Sequence, residues 1–137
     1  MTIQNQGIEE VKGNDIDLEF KCKGRTWINC DGKLNFPDGE IYCSPIEKSA
    51  NGWVKFSYPA IVNGQEIQDL ELWFENGKVV KHKASKGEEL FTEILKTDDG
   101  ASILGELGIG TNYNIQRFTK NMLYDEKIGG TIHLAIG

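Results

Sequence analysis

Ile16, Leu18, Phe20 and Cys22 alternate with Asp17, Glu19, Lys21 and Lys23, a period of two that predicts a half-buried strand over 16–23. Gly24 and Arg25 interrupt it, Arg25 to Cys30 resumes with a β-rich run, and the two runs are expected to pair as a hairpin. Asp31-Gly32 and Asp38-Gly39 are turn dipeptides. Between them Leu34-Asn35-Phe36-Pro37 reads as a stiff loop that delivers Glu40 to the start of the next strand. Apolar runs over 53–62 and 66–75 flank Asn63-Gly64, and Asn76-Gly77 leads into Lys78 to His82. Asn-Gly between apolar runs is a strong hairpin signal, because both central residues of that turn take positive φ. A meander is therefore expected from Gly52 to Ala84, with Leu70, Leu72 and Phe74 on its core face. His82, between two lysines, is expected in solvent.

The period changes after Ser85. Leu90, Phe91, Ile94 and Leu95 recur at helical spacing, with Ser85 as a candidate N-cap and Glu88 and Glu89 where acidic groups suit the helix dipole. Ala101, Ile103, Leu104 and Leu107 predict a second helix behind Asp98 or Asp99, closed by Gly108 and Gly110, with Glu106 bordering its apolar stripe. Thr111 to Lys120 reads as loop. The last run returns to strand alternation: Ile132, Leu134 and Ile136 face one way, and Thr131, His133 and Ala135 the other. The expected fold class is α+β, β-dominated, an antiparallel meander or mixed sheet with two short helices near residues 85–107. It forms a single domain over 1–137. Because the chain stops on an apolar strand with no polar tail, a piece of something longer is expected.

Composition changes this picture little. At 137 residues the chain can bury a core, and a net charge of −6 with scattered lysines argues against nucleic-acid or anionic-membrane partners. No apolar run is long enough for a membrane helix, and Met1 to Glu10 lacks the charged and apolar regions of a secretory signal. Cys22, Cys30 and Cys43 are odd in number with no C-x-x-C spacing, which suits reduced thiols on strands and a cytoplasmic setting. A metal role for Cys30 and Cys43 is a weaker alternative.

The candidate chemistry lies in Glu40, Glu106 and His133, two isolated carboxylates and a histidine standing between small residues. Such a set suits zinc, cobalt or manganese, and a carboxylate can bridge two ions. Other readings stay open. His133 could be hydrogen-bonded in a core, Glu40 could pair with Arg25, the two glutamates could be the acid and base of a glycoside hydrolase, or the whole could be a noncatalytic β-rich binding or dimerisation module. Asp125 and Glu126 could orient a neighbouring ligand or lie in a solvated turn.

Asn35-Phe36-Pro37-Asp38-Gly39-Glu40-Ile41-Tyr42, Leu104-Gly105-Glu106 and the closing run from Asp125 to Gly137 are more specific than spacing. Together with Gly24 to Asn29 they resemble the signatures of the thermophilic-type metalloaminopeptidases, peptidase family M29. The resemblance implies a two-metal exopeptidase acting on peptide substrates, with Glu40, Glu106 and His133 as metal ligands. In that reading Glu106 is the bridging and catalytically essential carboxylate. It also implies two divalent ions (zinc, cobalt or manganese), a homodimeric parent and further site residues, a tyrosine and a His-x-Asp pair, without counterparts here. The chain would then be an excised part of the catalytic domain of a longer two-domain aminopeptidase, inactive by itself.

Overall fold

A computed structural model describes residues 2–3, 8–33 and 35–137, so the part of the expected loop that falls on Leu34 lies outside the described residues. The chain opens with β1 (Thr2–Ile3), β2 (Ile8–Gly13) and β3 (Ile16–Lys21), followed by β4 (Ile28–Cys30) and β5 (Glu40–Cys43). Next come β6 (Asn51–Lys55), β7 (Ala60–Val62), β8 (Gln65–Ile67), β9 (Glu71–Glu75) and β10 (Lys78–Lys83). Helix α1 (Glu88–Leu95), β11 (Leu104–Gly110), the single turn α2 (Met122–Asp125) and β12 (Ile132–Ile136) complete it. The fold is α+β and β-dominated, as expected.

Two sheets carry the architecture, one of six strands in the order β1-β2-β3-β6-β9-β10 and one of four in the order β12-β11-β5-β4, with β7-β8 as a separate hairpin. Every pairing between named strands is antiparallel. Leu18, Phe20, Leu72 and Phe74 from the larger sheet meet Leu104 and Leu107 from the smaller in one core, with Phe91 of α1 packed into it. Alternation set these faces: in β9, Leu72 and Phe74 are buried while Glu71, Trp73 and Glu75 are not. Asn63-Gly64 and Asn76-Gly77 turn β7 into β8 and β9 into β10, all four residues at positive φ.

Several expectations are corrected. The runs 16–23 and 25–30 do not form a hairpin. β3 pairs with β2 and β6, and β4 with β5 in the other sheet. The run 53–62 is two strands, because β6 continues in the large sheet beside β9 while β7 leaves it for its own hairpin. The N-cap of α1 is Gly87 at φ 78, since the Ser85 hydroxyl is spent on Asp69 and Gln68. His82 is not solvated. Its ring packs edge-on against Phe91 at 5.3 Å, and its Nδ1 lies 3.8 Å from Glu88 Oε1.

The largest correction concerns the second helix. Leu104 to Gly110 is a strand in the four-stranded sheet, and the second helix is the short turn at Met122–Asp125. Leu104 pairs with Ile136 and Glu106 with Ala135, so Gly105 is an extra residue that bulges out of β11. The bulge returns Leu107 to the same core face as Leu104, three positions on. That spacing imitated a helix. The register is firmly held. A one-residue slip would expose Leu107, whose burial is worth about 1.5–3 kcal/mol, and drive the Glu106 carboxylate inward.

Cys22 and Cys43 are buried free thiols with their sulfur atoms 2.7 Å apart, Cys43 ending β5 and Cys22 just beyond β3. Burial pushes the Cys43 thiol well above its ordinary range, and Cys22 in turn raises it further. No helix among the described residues is long and apolar enough to cross a membrane.

Candidate functional site

Glu40, Glu106 and His133 come together on one face of the four-stranded sheet. Glu40 starts β5, where its Cα is opposite Gly110 of β11, and His133 of β12 is opposite Gly108 of β11. The central strand β11 therefore separates the two. A Cβ at Gly108 would lie 2.0 Å from His133 Nε2 and 2.2 Å from Cε1, so the imidazole lies across β11 where a side chain would stand. By crossing Gly108 it reaches Glu40 on the far strand. Glu106, two residues earlier on β11, shares that face by the strand period. These glycines are the ones whose spacing suggested a helix end. Their use is close approach, of the His133 ring at Gly108 and of the Ile128 carbonyl at Gly110.

The loop before Glu40 is closed by Asp38. Its carboxylate accepts from the Gly32 and Gly39 amides at 2.9 Å and from Asn35 N at 3.4 Å. Burial alone would push the Asp38 carboxyl up, but these amides outweigh it and hold it below the usual carboxylate range. Asn112 Nδ2 donates to Asp38 O, and Gly39, at φ 124, would meet the Asn112 Cβ at 2.8 Å if it had a side chain. Loop and strand are thus tied together where Glu40 enters.

His133 Nε2 lies 3.2 Å from Glu40 Oε2 and 3.5 Å from Glu106 Oε1. Neither contact has hydrogen-bond geometry, and both ring nitrogens are buried without a partner among the described residues. Nitrogen and carboxylate oxygens converge without bonding to one another, as donors do around a shared cation. Burial is the main influence on the His133 pKa and lowers it against the raising effect of Glu126 and Glu106, which favours the neutral imidazole a metal requires. Burial likewise raises the Glu40 carboxyl, with Glu126 adding to it and Lys127 opposing. Glu106 is raised by burial first, with His133 opposing and Glu40 and Glu126 adding. The residues present fit a divalent cation.

Lys127 was not singled out from the sequence, and Glu126 was read only as a residue that could orient a ligand or lie in a solvated turn. Lys127 is fully buried, its Nζ 3.5 Å from Glu40 Oε1 and 2.6 Å from Glu126 Oε1. It takes the place beside Glu40 that the alternative pairing with Arg25 would have filled. Glu126 offers a carboxylate oxygen within 4.8 Å of ligand atoms of Glu40 and His133. Nothing in the run Asp125-Glu126-Lys127 marks the lysine as buried. A second grouping on the other side of Glu40 holds Cys30 and Asp38 rather than Cys30 and Cys43. Asp125 caps a turn, accepting from the Thr119 amide and hydroxyl at 2.7 and 2.8 Å.

Residues 2–137 match the family model described as thermophilic metalloprotease (M29). The chain is 35% identical over 141 residues to aminopeptidase AmpS of Bacillus subtilis (strain 168), a match covering 93% of this chain and 33% of AmpS. Wild-type AmpT from Thermus thermophilus is similar in structure with a TM-score of 0.80 at 26% identity, over 93% of this chain and 35% of AmpT. A 2,5-dihydroxypyridine dioxygenase from Pseudomonas putida KT2440 shares the fold alone, with a TM-score of 0.66 at 16% identity over 90% of this chain and 40% of the dioxygenase. The chain spans about a third of the length of AmpS and AmpT.

Proposed function

Since this chain belongs to the thermophilic metalloprotease family M29, we propose that it supplies Glu40, Glu106 and His133 to a two-metal aminopeptidase centre that removes N-terminal residues from peptides. The observation that carries the reading is the pair of buried, unpartnered His133 nitrogens beside two carboxylates. A noncatalytic module would be expected to hydrogen-bond that imidazole, because an unpaired buried polar group costs stability.

When bound, divalent ions would supply Lewis-acid polarisation of a peptide carbonyl and acidify water toward neutral pH. The protein's part is to present the neutral His133 ring, to offer Glu40 through its Oε2 edge, and to place Glu106 where one carboxylate could serve two ions. Zinc, cobalt and manganese all suit this nitrogen and oxygen set. Three side chains leave most coordination positions of two ions unfilled. The chain by itself is therefore expected to bind metal weakly and to be inactive. A peptide substrate, a homodimeric parent and a cytoplasmic setting belong to the same proposal.

The test is equilibrium dialysis of the chain against zinc, cobalt and manganese, with leucine-anilide hydrolysis measured in parallel. Bound divalent metal that is lost in both Glu106→Gln and His133→Ala is expected. Metal content unchanged in both variants would overturn the assignment.

A further inference from the structure

Lys127 sits inside this cluster without being able to ligate. A protonated amine has three donors and no lone pair. The Lys127 side chain is fully buried, and the nearest carboxylate oxygens to its Nζ are those of Glu126 and Glu40. Its place is set by backbone rather than by the freedom of a long stem. Lys127 N donates to Tyr124 O at 3.1 Å, and its carbonyl accepts from Asn112 N at 2.9 Å. Gly110 lacks the Cβ that would meet the Lys127 carbonyl carbon at 2.9 Å and the Ile128 oxygen at 2.1 Å. The lysine is clamped against β11 just beyond the site.

The two oxygens of Glu40 are divided between different partners, Oε1 toward Lys127 and Oε2 toward His133. Glu40, Glu106 and Glu126 outnumber Lys127, the lysine seated among them, so acidic side chains are in excess in the cluster. Resting on the metal-site reading above, we propose that Lys127 is the resident counter-ion of this cluster. As a positioning residue it holds Glu40 and Glu126 together in the metal-free protein and aims Glu40 Oε2 at His133, at the expense of affinity for the first divalent ion. The weakened affinity follows from Coulomb repulsion, which is strong between cations a few ångströms apart in a partly buried site.

The test uses the chain with zinc as probe, read by thermal melting in chelator and in saturating zinc, and by competition for zinc with a chromophoric chelator. Lys127→Met should lower Tm in chelator, melt closer to wild type in saturating zinc, and bind the first zinc about tenfold tighter or more. Lys127→Arg keeps the charge and should stay near wild type in affinity. Lys127→Met with Glu126→Gln restores the original net charge and should return both Tm and zinc affinity toward wild type, which decides the matter even where the single variant fails to fold. An equal loss of Tm with and without zinc would overturn the counter-ion role alone, and so would a double variant that does not recover. A wild-type chain whose melting zinc does not move would overturn the metal-site reading and this inference together.

Discussion

The six-stranded and four-stranded sheets are built from the same antiparallel pairings and share one core, yet they obey different rules. In β3 and β9 of the larger sheet, buried positions alternate with more exposed ones, and each buried position holds a side chain that fills space. In β11 of the smaller sheet glycine occupies three of seven positions, a bulge breaks the alternation, and the neighbouring strands bury a glutamate and half-bury a histidine. The first sheet is optimised for burial. The second leaves out side chains so that others can cross it, and its charged groups are left to find cations. Stability and chemistry therefore reside in different sheets, and substitutions should separate them.

The largest effect is expected from Phe74→Ala, which removes a nearly fully buried ring from the larger sheet. It should cost about 3–5 kcal/mol in urea unfolding and leave zinc affinity of the folded protein unchanged. A parallel loss of zinc affinity would show that the two sheets are not separable. Gly108→Ala should do the reverse. Its methyl group would occupy the position of the His133 ring, so zinc affinity should fall on the order of 100-fold, about 2.7 kcal/mol, while the urea midpoint moves little. Retained affinity would mean that the imidazole binds nothing across β11.

The smallest effect lies in the pH dependence of the metal-free protein. Burial raises the Glu106 carboxyl in the folded state, so the folded chain holds that proton more readily than the unfolded chain. Stability from this group then falls as pH rises from the ordinary carboxylate range through the raised value, and the cost persists at neutral pH. In chelator at pH 7, Glu106→Gln should be slightly more stable than wild type, with the gap closing on acidification toward the ordinary carboxylate range. Saturating zinc should invert the order. A variant less stable than wild type in chelator at pH 7 would show that Glu106 contributes to folding rather than to a site.

Alternation in β3 and β9, the two Asn-Gly turns and the helical spacing of Leu90, Phe91, Ile94 and Leu95 were legible from the sequence, because each is governed by residues a few positions apart. The fold class followed from them, and the motifs around Glu40, Glu106 and His133 singled out three residues that the fold does gather on one sheet face. What escaped was set by distant partners. The bulge at Gly105 gave Leu104 and Leu107 a helical spacing although β12 and β5 hold them in a strand. Gly108 and Gly110 looked like a helix terminus until the His133 ring and the Ile128 carbonyl occupied the space they leave. Lys127 was not singled out, since nothing local to it reveals that Glu40, 87 residues earlier, lies within 3.5 Å. Local propensity and period act over a single turn or strand, whereas the placement of a buried charge is decided by whichever opposite charges the completed fold encloses with it.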